Sequence, residues 1–242
     1  MKGQPTLHMI LPVVKTAILI DGGFYRKRAK YFWGEISPED RASELYSYCM
    51  QHLHNKYEQR KLYRIFYYDC PPAKGNVYNP ILHKSINLEK TDEYTWSCKF
   101  LDELKKKRML ALRLGRLSES QLHYNLKYEV FKSIMQGKKQ ISDIKLTDCK
   151  LNIEQKGVDM RIGVDISSLA FKRQVNQIIL IAGDSDFVPA AKQARREGID
   201  FILDPMGAPI KPDLFEHIDG IEDKTKSMAS TKNNNSEYKL SK

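Results

Sequence analysis

Two short, almost wholly apolar runs, each ending in a carboxylate, constrain this chain more than anything else in it. Gln177 to Phe187 reads QIILIAGDSDF: an apolar strand, a stop at Gly183, then Asp184 and Asp186 on the following turn. Thr16 to Phe24, TAILIDGGF, repeats the design and ends its apolar run at Asp21. Continuous rather than alternating hydrophobicity predicts strands covered on both faces, as in a parallel sheet. Lys61 to Tyr68, Leu110 to Leu114 and Ile199 to Leu203 are three further short runs, and the first and last of them also stop at an acid, Asp69 and Asp204.

Helical signals separate the runs. Ser37-Pro38-Glu39-Asp40 places a capping hydroxyl, a proline at the first position and acids in the first turn, opening a helix expected to reach about Tyr57. Further helices are expected over Thr91 to Lys107, Met160 to about Arg173, Phe187 to Glu197 and, briefly, Pro212 to His217. Repeated strand–helix–strand alternation predicts a doubly wound α/β sheet with helices on both faces. Right-handed crossovers then bring the C-terminal ends of all strands to one edge, where ligands bind at the point of reversed strand order. If the five strands, counted along the chain, lie in the order 3-2-1-4-5, Asp21 and Asp184 face each other across that point. Asp159, at the start of the helix leading into the fourth strand, approaches from the side, and Asp186 follows Asp184 by two residues.

Carboxylates gathered in this way repel one another, and a hard divalent cation relieves the repulsion. Ligands that are all oxygen, with no Cys or His beside them, favour Mg²⁺ or Mn²⁺ over zinc. Asp165 sits on the flank of the stripe Ile162, Ile166, Leu169 and Ala170, where an acid needs a cation, a donor or a metal. Each acid also has a plainer role open to it. Asp21 and Asp184 are placed to cap turns, Asp159 and Asp186 to cap helices, and Asp165 to pair with Arg161 or Arg173. Gly22 and Gly23 permit a sharp turn and close approach of a ligand, while Lys156 and Ser185 are candidate phosphate contacts. His217 is the nearest histidine and a weak candidate for a base.

The remainder bounds the setting. Forty Lys and Arg against thirty Asp and Glu give a net charge of +10, which suits a polyanionic partner. Residues 1–14 read as a lead-in, 15–221 as one domain with a basic, partly β insertion at about 117–150, and 222–242 as a disordered tail. In the insertion, Leu122 to Val130 and Ile141 to Leu151 suggest a hairpin whose lysines and tyrosines suit a nucleic-acid strand. The four widely spaced cysteines form no C-x-x-C pair, so reduced thiols and a cytoplasmic location are expected. No apolar run approaches the roughly 18 residues that a membrane helix needs.

Three motifs together resemble one known family. Asp21-Gly22-Gly23 after an apolar strand, Lys156-Gly157-Val158-Asp159 opening a helix, and Gly183-Asp184-Ser185-Asp186-Phe187 after another strand are similar to the NYN domain, within it the LabA-like branch, of the PIN-like nuclease superfamily. The resemblance covers residues 16 to about 220. It implies a PIN-like parallel sheet of order 3-2-1-4-5 and a metal-dependent ribonuclease. It also implies that Asp21, Asp159, Asp184 and Asp186 are catalytic acids holding Mg²⁺ or Mn²⁺, with Asp165 a further member. Relatives commonly carry an Asn shortly after the first acid, where this chain has Gly23, Phe24 and Tyr25. The expected partner is RNA or another nucleic acid, with a homodimer left open. A non-catalytic RNA-binding module and a small-molecule phosphohydrolase are the competing functions; the second lacks a D-x-D pair after the first strand.

Overall fold

A computed structural model describes residues 12–118, 122–153 and 155–228. Its centre is a six-stranded sheet. The strands are β1 (Val13–Asp21), β2 (Gln59–Asp69), β5 (Leu110–Leu114), β10 (Gln177–Ile181), β11 (Asp200–Asp204) and a two-residue edge strand, β12 (Gly220–Ile221). They lie in the order β12-β11-β10-β1-β2-β5, and every pair is parallel. The five anticipated strands thus take the order 3-2-1-4-5, and β12 adds an edge that two residues could not announce in the sequence.

The pleat explains the continuous apolar runs. Ala17 and Leu19 pack on one face with Ile178 and Leu180, under α5 (Val158–Phe171) and α6 (Val188–Arg196). Ile18 and Ile20 pack on the other with Ile179 and Ile181, under α1 (Gly22–Trp33), α2 (Pro38–Gln51) and α3 (Asp92–Lys105). Alternate residues therefore feed two cores, and no position in the run is left to be polar.

Several segments differ from expectation. The helix α1 begins directly at Gly22-Gly23, where the glycines masked it; Asp21 starts it by accepting the Phe24 N–H at 3.1 Å. The stretch 71–90, read as loop, holds a small hairpin of β3 (Asn76–Asn79) and β4 (Lys84–Asn87). The insertion is partly β, as expected, but it is not a simple hairpin. The strands β7 (His123–Leu126) and β8 (Cys149–Asn152) pair antiparallel, but α4 (Tyr128–Met135) and two 3₁₀ turns occupy the interval between them. Tyr128, Phe131 and Met135 recur at helical spacing, and that period overrode the alternation. The two-residue strands β6 (Arg116–Leu117) and β9 (Gln155–Lys156) pair at the base of the insertion.

Residues 222–228, included in the expected disordered tail, are part of the fold. Glu222 accepts from both Arg60 Nη atoms at 2.8 and 2.6 Å, and Met228 is buried in the core beneath α2. A buried arginine needs carboxylates, and the start of the tail supplies one of the two that hold Arg60, Glu58 being the other. The remaining tail, 229–242, and the lead-in 1–11 lie outside the described residues. A short helix, α7 (Pro212–Phe215), follows β11. No helix among the described residues is long and apolar enough to cross a membrane.

Candidate active site

The strand ends deliver four carboxylates to one edge, and the fold uses them differently. Asp204, at the end of β11, is fully buried and accepts from the Tyr48 hydroxyl at 2.5 Å and the Met206 N–H at 2.8 Å, with His52 Nε2 also 2.8 Å away. Asp69, at the end of β2, is buried and tied by Arg26 Nη2 at 3.0 and 3.1 Å, the Tyr67 hydroxyl at 3.0 Å and the Cys70 N–H at 2.8 Å. Both oxygens of each carboxyl have partners within the fold. The acids after β1 and β10 are not absorbed in this way.

Asp21 stands at the switch point between β1 and β10, half-buried, with the adjoining register Ile20 opposite Ile181. Its carboxyl is pushed up from 3.8 to about 6, chiefly by burial, with the negative charges of Asp159 and Asp69 adding to the effect against the stabilising Phe24 and Gly23 N–H groups. Asp159 lies in the first turn of α5 and is exposed. Its carboxyl is also raised, by partial burial and then by the charges of Asp184 and Asp186. Asp184 caps the 3₁₀ turn Ser185–Phe187, accepting the Asp186 N–H at 3.4 Å. One electrostatic neighbourhood therefore runs from Asp69 through Asp21 and Asp159 to Asp184 and Asp186. Its members come from four separate parts of the chain.

Capping and clustering coexist here. Asp21 and Asp184 both cap, as the plainer reading allowed, yet both also belong to the acidic edge. Asp159 and Asp186 cap nothing: the residue preceding α5 is Gly157, in the left-handed region at φ 79°, and α6 follows Phe187 without a side-chain cap. Asp165 is not part of the neighbourhood. It accepts from the Tyr68 hydroxyl at 2.8 Å and Arg113 Nε at 3.1 Å, and so obtains the donor and the cation its position demands. The pairing with Arg161 or Arg173 is replaced by that with Arg113, on the neighbouring strand β5.

The donor set fits a hard divalent cation in chemistry: oxygen only, mutually repelling, and drawn to one edge. Among the described residues, however, no three Asp, Glu, His or Cys side chains stand close enough together to hold an ion as they are. Asp184 and Asp186 are exposed on a turn, and Lys211 Nζ lies 3.6 Å from Asp184 and donates to Ser185 Oγ at 3.1 Å. Ser185 thus has a lysine partner of its own.

Gly22 is required by packing. A Cβ there would sit 2.5 Å from Tyr67 Cζ and 2.6 Å from the Tyr68 carbonyl oxygen. At Gly23 a Cβ would meet only Asp21 Oδ1, at 3.5 Å. His217 lines a hollow with Lys192 and Asp200, at the opposite end of β11 from Asp204 and so away from the acids. The residue that sequence reasoning missed is Arg26. It follows Asp21 by about one helical turn, and Asp69 holds its guanidinium beside the cluster. Burial alone would lower the Arg26 pKa; Tyr67, Asp69, Glu93 and Asp21 outweigh it and raise it. The signal was present in two halves, a cation one turn after Asp21 and an acid closing the second strand, but nothing linear joined them.

A parallel sheet of this order, covered by helices on both faces and gathering acids at its switch point, defines an α/β protein of PIN-like architecture. The model of the NYN domain family matches residues 99–210. That part of the chain belongs to the NYN domain family, which falls within the PIN-like nuclease superfamily. The matched residues contain Asp159, Asp184 and Asp186, while β1 with Asp21 precedes them. No curated protein matches the sequence. Among solved structures, a protein of unknown function from Vibrio parahaemolyticus is similar at 11% identity and a TM-score of 0.44, over 86% of this chain and 91% of that one.

Proposed function

We propose that this protein is a metal-dependent nuclease of the LabA-like branch that hydrolyses phosphodiester bonds in RNA, in the cytoplasm. The observation that supports the reading is that Asp21, Asp159 and the Asp184–Asp186 turn lie at one edge of the sheet, by the C-terminal ends of β1 and β10, where the negative charges of Asp159 on Asp21, and of Asp184 and Asp186 on Asp159, are felt. The NYN match supports the nuclease class, and the net charge of +10 supports a polyanionic substrate.

In this reading Asp21 and Asp159, with Asp184 and Asp186 turned inward from their exposed turn, hold Mg²⁺ or Mn²⁺. Such an ion would supply positive charge to the phosphate and acidity to a water. Hydrolysis adds that water's oxygen to phosphorus, breaks one P–O ester bond and leaves a proton to be accepted. Asp159 is exposed to solvent beside the other acids, so it is placed to orient the water and take its proton. Arg26 adds a fixed positive charge opposite the substrate's negative one, and Asp69 acts through it as a positioning residue.

A non-catalytic RNA-binding module is the second reading. It is favoured by one observation, that the acids do not enclose an ion as they stand. Incubating the protein with end-labelled single-stranded RNA and Mn²⁺ separates the two. Cleavage that EDTA stops, and that Asp184→Asn and Asp159→Asn abolish without lowering the melting temperature, is the expected result. Equal cleavage by those variants, or none by the wild type, would refute the catalytic reading.

A further inference from the structure

The helix α5 has two working faces. Val158, Ile162, Ile166 and Leu169 are buried in the core. Met160, Arg161, Val164 and Asp165 instead wall a groove of about 650 Å³ with Arg113, Arg116 and Lys156 across from them. The groove is on the sheet edge that bears the acids, since Lys156 and Arg161 flank Asp159 in sequence and Arg116 follows directly from β5.

Its charge is one-sided. Four cations line it against a single acid, Asp165, which already accepts from Arg113 and Tyr68. Pairing of β6 with β9 sets Arg116 directly opposite Lys156, and directly opposed residues of an antiparallel pair project to the same side. Between the cations, Met160 and Val164 are 75% and 59% exposed. Apolar side chains among cations suit a strand whose bases are unstacked, because those bases offer apolar faces as well as phosphates. A duplex presents chiefly phosphate and sugar.

We propose that this groove binds single-stranded RNA by its phosphates and leads the strand onto the acidic edge. The fate of the strand there rests on the nuclease reading; its binding does not. Arg161 and Arg116 are the principal contacts, and Met160 and Val164 lie under the bases.

The test is fluorescence anisotropy of labelled single-stranded RNA in EDTA, so that no cleavage occurs, across a salt series. Arg116→Glu/Arg161→Glu should weaken binding at least tenfold and flatten the salt slope by about 1.4, the loss of two phosphate contacts at about 0.7 each for a single strand. Lys192→Glu/Arg196→Glu changes the net charge equally but lies at the opposite edge, and should bind within about twofold of wild type. Unlabelled duplex RNA should compete poorly. Arg116→Ala/Arg161→Ala, with the melting temperature recorded, covers the case in which charge reversal prevents folding. Absence of binding by the wild type, unchanged binding by both groove variants, or equal losses in groove and control variants would each overturn the proposal. Failure of the nuclease reading looks different: RNA is held through the groove, but Mn²⁺ brings no cleavage.

Discussion

Asp21→Asn is expected to make this protein more stable while removing its activity. In the folded chain the Asp21 carboxyl sits at about 6 against an ordinary 3.8, so ionising it costs the native state more than the unfolded one. A shift of that size corresponds to about 3 kcal/mol. Asparagine keeps a capping oxygen for the Phe24 N–H, and what the charge adds to that bond is already contained in the net shift. Allowing for the part of Asp21 that solvent still reaches, the gain near neutral pH is about 2–3 kcal/mol, or roughly 4–12 °C in melting temperature for a chain of this size. The sign depends on pH. Below about pH 3 Asp21 is protonated in both states, its charge is gone from the cap as well, and the two proteins should match. As pH rises from about 4 to 6 the unfolded carboxylate ionises first, the wild type loses stability relative to the variant, and above about 6.5 the difference stays constant. Denaturant unfolding of both proteins across this range measures it. A variant that is no more stable than wild type at neutral pH, or a difference that does not vary with pH, would refute the argument that burial and neighbouring acids strain this carboxylate.

Other expectations follow from the same geometry. Glu222→Gln leaves Arg60, whose side chain is 1% exposed, with Glu58 as its remaining carboxylate, and should cost about 1–2 kcal/mol in chemical denaturation. Burial alone would raise the Glu222 carboxyl, but the His52 ring 3.7 Å away and the hydrogen bonds from Arg60 depress it. Its stabilisation is therefore complete above the ordinary carboxylate range and lost as the pH falls below it, and the variant should lack that acid-side loss. Gly22→Ala drives a methyl into Tyr67 and the Tyr68 carbonyl and should destabilise by about 3 kcal/mol, since both neighbours are fixed in the core. Arg26→Ala removes the cation from buried Asp69 and should cost about 3 kcal/mol in thermal unfolding. In the RNA assay it should also slow cleavage more than tenfold, a loss that Arg26→Lys restores in part.

The sheet was legible because parallel strands buried on both faces must be apolar at every position, and TAILI and QIILI are. Its strand order did not follow from the runs themselves: crossover handedness leaves several orders open, and the order 3-2-1-4-5 came with the resemblance to the NYN domain. The helix α1 was hidden because its first two residues are glycines, and only the cap by Asp21 reveals a helix start. Short hairpins such as β3–β4 bury little and leave little periodicity; Val77 and Asn79 are their buried residues. In the insertion, local period was ambiguous: Tyr124 and Leu126 alternate, while Tyr128, Phe131 and Met135 repeat as a helix. At the site, the acids that end strands were visible, but which of them the fold would neutralise was not. Asp69 and Asp204 have the same sequence setting as Asp21. Only the approach of Arg26 to one, and of Tyr48 and His52 to the other, sets them apart. Asp165 illustrates the converse, a pattern member drawn off by Arg113 and Tyr68.

Manganese binding tests the central claim most directly, because Mn²⁺ loses its free-ion resonance signal when a protein holds it. Titration of the wild type, followed by electron paramagnetic resonance, should show saturable uptake that excess Mg²⁺ reverses. Asp21→Asn and Asp159→Asn should each weaken it at least tenfold, and Asp165→Asn should leave it unchanged. Uptake that survives both of the first two substitutions, or that vanishes with the third alone, would place any ion elsewhere and contradict a shared site at the switch point.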